Sequence, residues 1–286
     1  MVAIFALTAA VLYGTADFLG GAASRRVSAI AVLSVTAPFG ELVVLVAALL
    51  AGGPLRMAGL WWGLAGGAAG GAALIVFYAG LAAGPMSVVA PVSALVSTVL
   101  PVGVAIAQGE RLTPVVVAGG LLCLVAITLV SMEGGKPARG EGAPGGARRG
   151  RGLACGIAAG VGFGLFFLFM RDAATTGVLW PAAEARLAGA VVGLSAAALT
   201  RTRPVWLGAG RRVFVMALVS GAFDATANIC YVLATRAGLF GLAVVITSLY
   251  PGVTVLLARV TFGERMRSVQ RAGLLLAAVG IVLLTA

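Results

Sequence analysis

Asp224 stands inside FVMALVSGAFDATANICYVLA, residues 214–234, a run with no other charged residue. Asn228 follows it by one helical turn, on the same helix face. A charge at the centre of a bilayer costs about 2.5 to 3.5 kcal/mol on insertion scales, so an ionisable residue in such a run is a functional candidate by default. Asp17, Glu41, Glu184 and Arg186 share that situation. The chain has no histidine, so proton exchange near neutral pH falls to these carboxylates. Asp224 is the leading candidate to exchange a proton for a cationic group, with Asn228 as a neighbouring hydrogen-bonding group and Glu41 as a second acidic position. Each residue also has a plainer reading. Asp224 could make a satisfied interhelical hydrogen bond, Asp17 could meet headgroups, and Glu184 with Arg186 could form an interfacial pair just after Trp180-Pro181. Four acids against one arginine leave the set formally negative, which favours a cationic, zwitterionic or proton-coupled ligand over an anionic one. Tyr13, Tyr231, Tyr250 and Phe77 could add apolar walls, or simply pack.

The elements that carry these residues are membrane helices. Of 286 residues, 61% are hydrophobic and 10% charged, and the mean hydropathy is +1.10; a soluble domain carries about 25% charged residues. Nothing from Met57 to Gln108 is charged, and a bilayer-spanning helix needs about 20 such residues. Unbroken apolar runs, without strand alternation, exclude a barrel. Breaking at charges, prolines and glycine turns predicts an all-α integral membrane protein with ten spans: 2–22, 28–50, 57–79, 86–107, 113–132, 153–171, 179–199, 212–234, 239–260 and 268–285. Residues 133–152, EGGKPARGEGAPGGARRGRG, read as a linker between the two halves, 1–132 and 153–286. The first span lacks the basic leader of a signal peptide and is expected to be retained.

The halves repeat one another. GERLTPVVVAGGLLCLVAITLV at 109–130 and GERMRSVQRAGLLLAAVGIVLL at 263–284 agree at 11 of 22 positions without a gap. At the same offset Gly67 falls on Gly221 and Phe77 on Tyr231, while Tyr13-Gly14 matches Phe163-Gly164 at an offset of 150. Five helices per half is an odd number, so the second copy should enter from the opposite face, giving an inverted repeat. In each Gly-Glu-Arg turn the glycine can leave its helix left-handed, the glutamate favours the N-terminus of the next helix, and the arginine meets headgroups. Glycines at intervals of four (63, 67, 71 and 156, 160, 164) and at seven (273, 280) mark close helix seams. Pro38, Pro91, Pro101 and Pro251 are candidate kinks.

These features resemble the drug/metabolite transporter superfamily, of the ten-helix EamA type: the two five-helix repeats, the Tyr13-Gly14 pair, the turns at 109–111 and 263–265, and the glycine seam at 273–280. The resemblance implies a central cavity lined by helices one to four and six to nine, outer seams at helices five and ten, and export of small metabolites or drugs by alternating access. One departure stands out. The small multidrug resistance proteins, relatives of one half, carry a glutamate where this chain has Val11, so their proton exchange is not carried over.

The function expected is a secondary transporter, an exporter of small metabolites, amino acids or cationic or zwitterionic drugs, with protons as the coupling ion. An uncoupled channel or lipid scramblase is the alternative. An enzyme is not expected, and a lipid-modifying one is the remote alternative: the chain has no histidine, no paired aspartate motif and no phosphate loop. Neither a nucleotide-driven pump nor a cofactor is implied, and no metal site, because Cys123, Cys155 and Cys230 sit in apolar runs without ligand spacing. The net charge of +11 lies in the loops and meets the lipid bilayer, not nucleic acid. Trp61, Trp62, Trp180 and Trp206 fit an interfacial belt. A monomer in the inner, cytoplasmic membrane is expected. With Arg186 set aside, the loops and adjoining span ends after odd-numbered spans hold 15 basic residues and those after even-numbered spans hold 4, which predicts both termini outside the cytoplasm. The resemblance implies the reverse.

Overall fold

The structure, a computed structural model, describes residues 1–24, 26–52, 56–83, 86–111, 113–131, 145–202, 210–262 and 268–285. Among these residues it is all helical: α1 (Val2–Ser24), α2 (Ala29–Ala51), α3 (Met57–Ala83), α4 (Met86–Ala107), α5 (Pro114–Ser131), α6 (Gly145–Ala174), α7 (Leu179–Leu199), α8 (Gly210–Arg236), α9 (Phe240–Thr247), α10 (Tyr250–Phe262) and α11 (Ser268–Thr285). Six of them, α1, α2, α3, α6, α7 and α8, are long and apolar enough to cross a bilayer, and shorter apolar stretches lie in α4, α5 and α9–α10. Their outward residues are what lipid requires: Leu50, Leu199, Leu275 and Val260 are all exposed, a surface no water-soluble monomer would present.

Two boundaries differ from expectation. α6 begins at Gly145 and not at 153, so the arginine-rich end of the expected linker is helical; the remainder, with the second Gly-Glu-Arg turn, Arg203 and Trp206, lies outside the described residues. The ninth expected span is broken into α9 and α10. Pro251 has no N–H to offer the carbonyl of Thr247 four residues back. The chain closes the gap with tighter bonds, Leu249 N–H to Ile246 O at 3.2 Å and Gly252 N–H to Leu249 O at 2.9 Å. α2 and α4 run on through Pro38, Pro91 and Pro101 without such a break.

Helices pack mainly across the halves, and reciprocally. α1 lies on α8 as α3 lies on α6; α4 packs on α6 as α9 and α10 pack on α1; α2 meets α7, and α5 meets α11. Glycine sets these approaches. A Cβ on Gly280 would stand 2.5 Å from the Cys123 sulfur and 3.0 Å from the Gly119 carbonyl oxygen, which puts Gly280 on the α5–α11 seam. On α3, Gly63, Gly67 and Gly71 face α7, while Gly66 and Gly70 face α6; on α6, Gly156, Gly160 and Gly164 face α4. α9 is buried on nearly every side, in the two largest apolar clusters.

Candidate functional site

The polar centre lies where α1, α2, α7 and α8 converge. Arg186 of α7 donates through Nη1 to Asp224 Oδ2 of α8, and the two form an ion pair. The Arg186 side chain is 9% exposed and that of Asp224 38%, so the cation is the deeper partner. Arg186 gets there across bare backbone. A Cβ on Gly40 of α2 would strike its guanidinium and stand 2.8 Å from the Gly221 carbonyl oxygen, and one on Gly221 would strike the Thr36 carbonyl. Glycine at both positions lets α2 and α8 close to backbone contact, with the arginine laid along the crossing.

Further polar groups surround the pair. Glu41, one residue beyond Gly40, is within electrostatic reach of Arg186. Asp17 of α1 is exposed and within electrostatic reach of Asp224. Tyr13, one turn before Asp17, is within reach of both Asp224 and Arg186. Its ring meets that of Tyr250 edge-on at 6.2 Å between centroids. Gly14 makes that approach possible, because a Cβ there would lie 2.6 Å from the Tyr250 carbonyl oxygen. The Tyr13 hydroxyl, Glu41 Oε2 and Arg186 Nε are buried without a hydrogen-bond partner. Buried polar atoms are nearly always satisfied, so three orphans around one ion pair mark a place built for something besides packing.

Several expected roles change. Glu184 does not pair with Arg186. It points the other way, against Gly63 of α3, because residues two apart on a helix face different directions. Asn228 is buried and donates to the backbone carbonyl of Asp224 at 2.9 Å, so its amide serves its own helix and not the carboxylate. Tyr231 is fully buried, and its hydroxyl donates to the Phe167 carbonyl at 3.2 Å while its ring packs on Phe167 at 4.9 Å. It is a packing residue and presents no free hydroxyl.

The two acids Asp17 and Asp224 have no charged counterparts in the other arm of the repeat. By the offsets above, Asp17 corresponds to Phe167 and Asp224 to Gly70. Where α1 and α8 bring two acids together, α6 and α3 bring Gly70 against Phe166 and Phe77 against Phe163. A second polar cluster escaped sequence reasoning. At the turns after α4 and α6, Arg171 donates to Gln108 Oε1 at 2.5 Å and to Asp172 Oδ1 at 2.9 Å, and its guanidinium lies 5.0 Å above the Phe240 ring. Gly109 is left-handed there, at φ 92°, as its turn predicts. Glu110, however, accepts from the N–H of Gly241 at 2.9 Å, at the start of α9 in the other half and not of α5. Nothing in local spacing signals a contact so distant in sequence. Among the described residues no cluster of metal-ligating side chains occurs, and the three cysteines are free thiols.

Comparison with known proteins agrees with this architecture. A protein of solved crystal structure aligns with 99% of this chain and 95% of its own, at a TM-score of 0.79 and 22% identity, a likeness of fold. A search of curated proteins gives no match. Residues 150–286 match the model of the EamA-like transporter family. That second half resembles the EamA-like transporter family, and with its apolar helices the chain is a multi-pass membrane protein.

Proposed function

We propose that the chain is a secondary transporter that exports small zwitterionic or cationic metabolites, amino acids among them, across the inner membrane by alternating access between two inverted repeats. The observation that carries this is the Arg186–Asp224 pair with the unsatisfied Tyr13 hydroxyl, Glu41 and Arg186 Nε around it. An ammonium group can take the place of the guanidinium at Asp224, with Asp17 adding attraction. A carboxylate can take the place of Asp224 at Arg186. A molecule carrying both groups replaces the broken pair on both sides, which a purely anionic ligand beside Glu41 and Asp17 does not. The reciprocal packing of α1 on α8 and α3 on α6 supports repeats related by a two-fold axis, and the odd number of spans per repeat supports an axis in the membrane plane. One chain holds both repeats, so a monomer suffices, and protons are the coupling ion on this reading.

Counterflow in proteoliposomes tests it. Labelled amino acids and organic amines are offered to the wild type, D224N and R186Q, with and without a pH gradient. Uptake of zwitterions by the wild type, lost in both variants, is expected. Equal uptake by all three proteins removes the pair from the pathway, and uptake of organic anions alone reverses the charge assignment.

A further inference from the structure

Glu184 is the one ionisable side chain of the expected set that the site above does not use. It is 5% exposed, and both carboxyl oxygens are buried without a hydrogen-bond partner. It lies on the seam between the halves where α3 and α7 come closest. A Cβ on Gly63 would stand 2.6 Å from Glu184 Oε2, one on Gly67 would strike the Ala185 carbonyl, and one on Gly71 would lie 3.1 Å from Val192 Cβ. Three glycines in a row thus bring α3 onto the α7 backbone, with the carboxyl closed in at one end of the stripe.

Among the described residues neither oxygen has a hydrogen-bond partner. α3 brings only Tyr78 as a titratable residue. From α2, Glu41 is within electrostatic reach of Arg186; from α8, Asp224 is bound by Arg186, and Arg211, Arg212 and Arg236 stand at the helix ends; from α6, Arg171 and Asp172 bind each other, and Arg148, Arg149 and Arg151 belong to its opposite end. An unpaired carboxylate buried in apolar surroundings is far costlier than the neutral acid. The closed seam therefore fits the protonated side chain, whereas the ionised one needs water at its oxygens. Gly63 leaves no room beside Oε2, so parting of α3 and α7 would admit water there.

We propose that Glu184 is a proton-binding site of the transport cycle, separate from the Arg186–Asp224 site: proton uptake closes the α3–α7 seam, and proton release to entering water opens it. The seam end that holds Glu184 lies on the face where α3 and α7 begin, the face of the α2–α3, α4–α5 and α6–α7 turns. A proton arriving from that face closes it, and the cycle then proceeds to the opposite opening. An exchanger driven by a proton gradient requires that order of events.

This rests on the transporter reading, yet it is tested without any substrate. Deuterium uptake of the full chain in lipid nanodiscs is followed at several pH values in peptides from α3 and α7, with the α5–α11 seam as internal reference for the intrinsic pH dependence of exchange. In the wild type, uptake at α3 and α7 should rise several-fold over that reference as pH increases. E184Q, a neutral isostere, should stay protected throughout, and the infrared band of a buried protonated carboxyl should be lost with it. Wild-type uptake that follows the reference at every pH overturns the proposal, whether or not E184Q folds. So does an E184Q protein that responds as the wild type does. Failure of the counterflow experiment leaves this measurement standing, and the reverse holds as well.

Discussion

At the scale of single residues, Arg186 reaches Asp224 because Gly40 and Gly221 leave the α2–α8 crossing bare, and the Thr36 carbonyl occupies the space a side chain at 221 would need. G221A should therefore cost about 1 to 3 kcal/mol, the range for overpacking a tight contact. Gly21, at the end of α1, has nothing within 4 Å of its missing Cβ. G21A should be neutral, or stabilising by less than about 1 kcal/mol through the unfolded chain. Thermal unfolding of the two variants in detergent checks both signs, and equal losses would refute the packing argument. The charged residues of this site were legible in the sequence, because a charge in an apolar run is conspicuous whatever surrounds it. Their partners were not. Sequence spacing put Asn228 beside Asp224 and Arg186 beside Glu184, whereas the ion pair joins α7 to α8 and depends on glycines that carry no chemical signal of their own.

Among the elements, α9 depends on a neighbour for its first turn. The amide of Gly241 at its start has no partner within the helix, and Glu110, from the turn between α4 and α5, supplies one. Arg171, above the Phe240 ring and bonded to Gln108, ties the same turn to the end of α6. E110A removes a cap that spans the two halves and should cost about 0.5 to 2 kcal/mol. It should raise deuterium uptake in residues 237–247 while leaving α5 unchanged; a rise in α5 and not in α9 would restore the local capping expected from the turn alone. Helix positions were read well from composition, since lipid demands long apolar runs. The break before Pro251 was expected only as a bend. Proline is equally present in α2 and α4, which run on unbroken, so proline alone does not decide whether a helix bends or divides.

For the whole molecule, the distribution of Lys and Arg predicts the loops and adjoining helix ends after odd-numbered spans in the cytoplasm and both termini outside, with 15 basic residues against 4. A C-terminal fluorescent fusion that stays dark in the cytoplasm is expected, and a bright one would invert the assignment. The reciprocal packing has a consequence for how the protein is made. α1 and α3 find their main partners in α8 and α6, which are translated later, so the nascent first half sits in the bilayer with its glycine stripes facing lipid until the second half is inserted. Packing cannot be completed in one half and then in the other; α1 waits for α8, in the last third of the chain. Residues 1–131 produced alone should thus be degraded by membrane proteases. Produced together with residues 145–286 as a second chain, they should persist, because the halves are held by each other more than by the segment that joins them.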